Sequence, residues 1–398
     1  MNPPHPPAID RTALVLTGGG ARAAYQVGVL KAAAEILPKH AHNPFSIITG
    51  TSAGAINAVA LGASANNFRL AVKKVERIWS NLCVEHVYRA GYRDLAGSML
   101  RLLVSLFHRG TGVGKPLALL DTAPLAELLH RTIDFGDLKR RLDSGQLDAI
   151  GVTASSYDTG ESITFFQSGL DREMLPPWNR HRRKGVPAEL SVAHLLASSA
   201  IPTLLPAARI GDTYFGDGAL RQLSPISPAL HLGAQRIMVV GVSGNRTRPA
   251  VARMQNRTPS LARMLGHVFN SAFIDALEND MEHLERINEL VGMMHNENPH
   301  SYAGGLREVD FLCINPTIEI DEIASHHLHS LPPAMRTLLN ITGATPRGGG
   351  TSLASYLLFQ GEFCRELIDT GYRDALSQRE MLEQFFRPRD PLLLTGRA

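Results

Sequence analysis

Cysteine is scarce in this chain: Cys83, Cys313 and Cys364 are the only three in 398 residues, far apart and odd in number. They form neither a disulfide framework nor a Cys-x-x-Cys site, so disulfide-stapled folds and thiol redox chemistry drop out, and a reducing cytoplasm suits them. Net charge is small as well, +3 from 40 basic and 37 acidic residues. Without a basic excess there is no electrostatic footprint for nucleic acid, whereas a slightly basic surface is not repelled by anionic membranes. Long apolar runs are missing. The most lipid-like segment, Met99-Leu100-Arg101-Leu102-Leu103-Val104-Ser105-Leu106-Phe107, is far shorter than the roughly twenty residues that cross a bilayer. The start, Met1-Asn2-Pro3-Pro4-His5-Pro6-Pro7, is a proline-rich arm with no apolar stretch behind a basic start, unlike a secretory signal. These absences lead to the expectation of a cytoplasmic protein, free or peripheral to a membrane.

Against this background one pentapeptide carries chemistry. Gly50-Thr51-Ser52-Ala53-Gly54 lies where the apolar run Phe45–Thr49 gives way to the alanine-rich stretch Ala53–Ala63. A serine at such a strand-to-helix turn is a nucleophile elbow: Gly50 and Gly54 supply the small neighbours that a sharp turn needs, and the helix N-terminus favours developing negative charge. Upstream, Ala13-Leu14-Val15-Leu16-Thr17 reads as a buried strand, followed at once by Gly18-Gly19-Gly20-Ala21-Arg22-Ala23 and then a helix over Ala24–Leu37. Unshielded backbone N–H groups in that loop suit either a phosphate or an oxyanion. Gly18-x-Gly20-x-x-Ala23 fits a dinucleotide fingerprint, but that reading needs an acidic residue at the end of the second strand, where this chain has Thr49-Gly50-Thr51. The oxyanion reading therefore leads.

A third element, Tyr214-Phe215-Gly216-Asp217-Gly218-Ala219, is a short strand ending in an aspartate between glycines. Gly-Gly-Gly-x-Arg, Gly-x-Ser-x-Gly and Asp-Gly-Ala, in this order and each at a strand end, resemble the motifs of the patatin-like phospholipase family. Ala197-Ser198-Ser199-Ala200-Ile201-Pro202 looks like the family's segment ahead of its catalytic aspartate. The resemblance spans about residues 12–245. One departure is Ala23, where the family's loop usually closes with glycine; since helix follows directly, alanine costs little there.

The resemblance implies a Ser-Asp dyad, with Ser52 as nucleophile and Asp217 as base, and an acyl-enzyme intermediate formed from a lipid ester of phospholipase A or lysophospholipase type. Gly18, Gly19, Gly20, Ala21 and Arg22 would form the oxyanion loop, supported by Gly50, Gly54 and Gly218. Arg22 has three readings: it fixes the loop, meets an anionic head group, or is an exposed first-turn arginine. No cofactor, metal or nucleic acid is implied, and the expected partners are the lipid ester and a peripheral membrane surface. Two other classes stay open. One is an α/β-hydrolase-type esterase with a Ser-His-Asp triad, whose late histidine would come from His267, His283, His326, His327 or His329. The other is a non-catalytic lipid-binding scaffold. The cluster His326-His327-x-His329 lacks the cysteines and the i, i+4 spacing of a zinc site.

The fold expected is α/β: a mostly parallel central sheet between helical layers, with further strands at Asp148–Thr153, Ser162–Phe166, Arg236–Gly241 and Val309–Ile314. In domain terms, residues 1–11 make the arm, 12–245 the catalytic core, and 246–398 a mainly helical region that returns a strand near 308–314 to the same sheet. Residues 244–260 read as a polar connector. Arg180-His181-Arg182-Arg183-Lys184 reads as a basic loop, and Gly348-Gly349-Gly350 as a loop before a helix start. The segment 97–108 fits a core helix or a lipid-contacting cap. Tyr356-Leu357-Leu358-Phe359 with Phe363 offers an apolar face to the core, or less readily to lipid or a partner.

Overall fold

The computed structural model describes residues 11–107, 116–170, 175–243, 260–272, 276–297, 306–343 and 351–388. The proline arm, the connector after residue 243 and Gly348-Gly349-Gly350 lie outside the described residues. Strands β1 (Thr12–Leu16), β2 (Ile47–Thr51), β3 (Ala149–Ser156), β4 (Ser162–Ser168), β5 (Asn179–Arg180), β6 (Arg183–Pro187), β7 (Ala208–Ile210), β8 (Thr213–Asp217), β9 (Arg236–Val240) and β10 (Asp310–Ile314) form one sheet. Its order is β10-β9-β1-β2-β3-β4-β6-β5, with β8 paired to β3 and β7 to β8. The run from β10 to β3 is parallel throughout, and β4 then pairs antiparallel with β3.

Alternation along these strands sorts their side chains onto two faces. Leu14, Leu16, Ile48, Ile150, Val152, Met238 and Val240 enter one core, and Ala13, Val15, Ile47, Ala149, Ile237 and Val239 the other. Apolar on both faces, these strands are covered on both, as a parallel sheet requires. The larger core takes in α1 (Ala24–Ile36), α2 (Ala53–Gly62), α3 (Phe68–Ser80), α4 (Tyr92–Phe107), α5 (Ala123–Thr132), α6 (Phe135–Asp143) and α7 (Val192–Ser198). The thinner layer behind the sheet holds α8 (Ser227–His231) and part of the chain beyond α9 (Leu261–Asn270), namely α10 (Ala276–Glu297). The remaining helices are α11 (Ile320–His327), α12 (Pro333–Thr342), α13 (Thr351–Leu357), α14 (Gly361–Ser377) and α15 (Arg379–Phe386). Helix α14 lies directly against α1, where a Cβ on Gly28 would meet the Ile368 carbonyl and one on Gly371 the Tyr25 carbonyl. Tyr25 also donates to Asp374 at 3.1 Å across this contact.

Two local readings change. The basic run at 180–184 is a hairpin, β5–β6, rather than a loop: Gly185 packs under the Trp178 indole and Lys184 pairs with Glu161 at 2.7 Å, so short-range pairing captures a polar segment. In α4, Leu95 and the partly buried Leu102 pack on the larger core and Ser98 is buried, whereas Tyr92, Met99, Leu100, Leu103 and Val104 face outward, so the helix joins the core by one face only. No helix among the described residues is long and apolar enough to cross a membrane.

Candidate active site

Sheet register builds the site. β1 and β2 are adjacent parallel strands with Leu16 opposite Gly50, so the glycine loop after β1 and the elbow after β2 leave the same edge side by side. Along one edge of β3, Thr51 of β2 pairs with Thr153 while Asp217 of β8, running antiparallel, pairs with Ala154. The ends of β2 and β8 therefore meet head to head. Ser52 and Asp217, 165 residues apart in the chain, come together there, and the Ser52 hydroxyl donates to Asp217 Oδ2 at 2.6 Å.

The backbone at Ser52 has φ 56° and ψ −131°, a conformation that side-chain-bearing residues rarely adopt and that persists only when its surroundings impose it. Those surroundings are visible. A Cβ on Gly50 would run into the backbone of Gly54 and Ala55, and one on Gly54 would strike the Leu16 and Thr17 carbonyls, so α2 lies hard against the end of β1. Gly218 is equally confined, its Cβ position falling on the Thr153 carbonyl. The Ser52 N–H donates to Ser198 Oγ at 2.8 Å, and that hydroxyl donates to the Thr153 carbonyl at 2.6 Å. Asp217 N–H donates to the Ala200 carbonyl at 2.8 Å. The segment Ala197–Pro202 thus grips both residues through its own backbone and one hydroxyl. In the sequence, the only signal for Ser198 is its place in that segment.

Asp217 is fully buried, and desolvation pushes its carboxyl up to about 7 against the opposing pull of its hydrogen bonds from Ser52 and Ala219 N–H. A carboxylate that titrates near neutrality is a far better base than an ordinary aspartate. Among the described residues no histidine hydrogen-bonds to Ser52 or Asp217. His194 is taken up by Ser191, His231 by Ser227, His327 by Glu366 at 2.6 Å, and His329 by the His326 carbonyl. Thr51 Oγ1 donates to Gln222, whose amide reaches Thr153 Oγ1 at 3.3 Å, fixing the strand ends behind the pair.

The glycine loop turns at Gly19 and Gly20, the latter at φ +55°, into a short 3-10 turn over Gly20–Ala23. The N–H groups of Gly19 and Gly20 donate to no acceptor among the described residues. Arg22 is not on the surface: at 3% exposure it is buried beneath C-terminal side chains, which removes the exposed-arginine reading.

Gly20, Ser52 and Ser199 share an apolar cavity of about 70 Å³. Three helices contribute one stripe each, at the i, i+3, i+4, i+7 spacing of a single helix face. They are Ala53, Ile56, Asn57 and Ala60 from α2; Val75, Ile78, Trp79 and Leu82 along and just past α3; and Leu125, Leu128, Leu129 and Thr132 from α5. Ile201 and Leu205 line it too, as do Tyr356, Leu357 and Phe359 from the C-terminal region. Asn57, the polar member of its stripe, is satisfied by Ala23 O, Gln26 Oε1 and the Trp79 indole N–H, at 3.1, 3.0 and 2.7 Å.

A family model described as patatin-like phospholipase matches residues 14–230, more than half of the chain and all three motif loops. The chain belongs to the patatin-like phospholipase family. Family membership supports lipid hydrolysis as its general activity. Among solved structures, this patatin-like chain is similar to VipD from Legionella pneumophila, at 13% identity and a TM-score of 0.34 over 94% of this chain and 68% of that one. It is also similar to human GIVD cytosolic phospholipase A2 in complex with methyl gamma-linolenyl fluorophosphonate, at 14% identity and a TM-score of 0.44 over 98% of this chain. The chain spans 60% of that human protein's length. No curated protein matches it.

Proposed function

We propose that this protein is a serine lipid-ester hydrolase, of phospholipase A or lysophospholipase type, that works through a Ser52–Asp217 dyad. The observation that carries the reading is the 2.6 Å hydrogen bond from the Ser52 hydroxyl to a fully buried carboxylate beside an apolar cavity. In the acylation step Ser52 Oγ attacks the ester carbonyl carbon and its proton passes to Asp217 Oδ2. The carbonyl oxygen takes the negative charge and is met by N–H groups of Gly19, Gly20 and Ala21 and by the N-terminus of α2. Collapse breaks the ester C–O bond, and the departing alcohol takes the proton from Asp217. A water then attacks the acyl-enzyme while giving a proton to Asp217; collapse returns that proton to Ser52 and releases the fatty acid. The cavity's three helical stripes hold the acyl chain in this scheme, since an apolar wall recognises methylene groups through the water they lose. No step calls for a cofactor or metal.

Membrane contact belongs to the same proposal. The outward row Tyr92, Met99, Leu100, Leu103 and Val104 on α4 alternates with Arg93 and Arg101, the combination by which a helix lies on an anionic lipid surface. The deciding experiment is Ser52→Ala, assayed for fluorophosphonate labelling and for fatty-acid release from phospholipid, lysophospholipid and neutral ester. Expected is loss of both signals in a folded variant. Turnover that survives the substitution removes the serine mechanism, and absence of turnover and labelling in the parent protein leaves the scaffold reading standing. For the surface, Leu100→Glu with Leu103→Glu should reduce sedimentation with phosphatidylglycerol vesicles without changing turnover of a soluble ester.

A further inference from the structure

The oxyanion loop consists of residues that cannot hold themselves in place. Gly18, Gly19, Gly20 and Ala21 have no side chain able to anchor a backbone, and Gly20 sits in the left-handed region. What surrounds them comes from the far end of the chain. A Cβ on Gly20 would fall on the Tyr356 carbonyl, so α13 is the floor against which the loop rests. The next side chain, Arg22, turns away from the cavity and into the C-terminal helices. Its Nε donates to Ser355 Oγ at 2.8 Å, and its Nη2 donates to Asp321 Oδ1 at 2.5 Å and to Ser352 Oγ at 3.1 Å. The guanidinium also lies 4.1 Å from the centre of the Tyr356 ring. Asn270 of α9 in turn accepts from Ser352 and Tyr356, both at 3.0 Å, which holds α13 from behind. Every one of these partners lies outside the segment 14–230 that the family model matches.

We infer that Asp321, acting through Arg22, is a positioning residue for the oxyanion loop, and that the C-terminal helices α11 and α13 are part of the catalytic apparatus. The physical reason is the fixed fork of the guanidinium. Its donors point in set directions, so a carboxylate and two serine hydroxyls at fixed positions lock the backbone of residue 22, and with it the N–H groups just before it. A buried guanidinium needs such a partner, because an uncompensated charge there is strongly unfavourable. The same contacts take Arg22 out of play as a head-group ligand: its Nε and Nη2 are engaged, and its side chain is 4% exposed. Donors that are preorganised lower the barrier, and a displacement on the order of 1 Å costs roughly a hundredfold in rate.

This inference rests on the hydrolase reading above, so its test carries a readout that does not need turnover. Arg22→Met, Asp321→Ala and Asp321→Glu are compared with the parent on p-nitrophenyl butyrate, which has no head group, and on phosphatidylcholine and phosphatidylglycerol vesicles. Amide hydrogen exchange is followed in the peptide covering residues 17–25. Expected for Arg22→Met and Asp321→Ala is a loss of kcat of about a hundredfold on all three substrates, with KM within about threefold, and faster exchange in that peptide than in the parent while the β2 strand is unchanged. Asp321→Glu should recover part of the loss. Unchanged kcat on p-nitrophenyl butyrate in both variants overturns the inference, and so does a loss confined to the phospholipids, which would make Arg22 a head-group contact. If Arg22→Met does not fold, Asp321→Ala decides alone. If the parent neither turns over nor labels, the hydrolase reading fails separately, and unaltered exchange over residues 17–25 in Asp321→Ala then overturns the clamp.

Discussion

Replacing Asp217 by asparagine should abolish turnover and at the same time make the protein more stable, by an amount that depends on pH. Burial lifts this carboxyl from 3.8 to about 7, roughly three units at about 1.4 kcal/mol each, so holding it ionised costs folding up to about 4 kcal/mol. The sign follows from the direction of the shift. Between the unfolded value and the folded one the native state binds the extra proton, so its stability falls as pH rises through that window and levels off above about pH 7. Asparagine carries no charge at any pH. It keeps an oxygen for the Ala219 N–H and an amide that can donate to Ser52, but it remains a buried polar group, which reduces the net gain to about 1–3 kcal/mol. With unfolding entropy near 2 cal/mol/K per residue, a chain of 398 residues shifts by about 1 °C per kcal/mol. Calorimetry should therefore place the Asp217→Asn melting temperature about 1–3 °C above the parent at about pH 8, with little difference at about pH 4. In parallel, kcat/KM of the parent should rise with pH and level off above about 7, as the base must be ionised to take the serine proton. An asparagine variant that melts no higher than the parent at about pH 8, or that gains as much at about pH 4, would refute the desolvated-base argument.

Other substitutions probe the rest of the site. Ser198→Ala leaves the Ser52 N–H and the Thr153 carbonyl without their shared hydroxyl; expected are a destabilisation of about 1–3 kcal/mol in urea unfolding and a drop in kcat with KM little changed. Ala60→Phe fills part of the cavity, and at about 0.8 kcal/mol per methylene displaced it should lower the preference for long over short acyl esters at least tenfold, measured as a ratio of kcat/KM values. Glutamine variants of His194, His231, His267, His283, His326, His327 and His329 should each keep activity within about tenfold of the parent. One folded histidine variant slowed about a thousandfold would bring back the triad, since general-base catalysis contributes on that scale.

Much of this protein is legible locally. Strand-to-helix turns at Gly18–Gly20 and Gly50–Gly54 follow from short apolar runs ending in glycine, because only residues without a Cβ permit the close approaches seen at Leu16, Ala55 and Tyr356. The apolar character of β1, β2, β3 and β9 likewise announces a sheet covered on both faces. What a linear pattern does not contain is which strand ends meet. That β2 and β8 divide one edge of β3, bringing Ser52 onto Asp217, is decided by register, and the rise of the Asp217 pKa is decided by the packing that then excludes water. Arg22 shows the same limit: its own neighbours allow a solvent-exposed, head-group or anchoring role, and only the docking of Asp321, Ser352 and Ser355 from some 300 residues away selects the anchor. Periodicity records the direction in which a side chain points, and tertiary structure supplies what waits there.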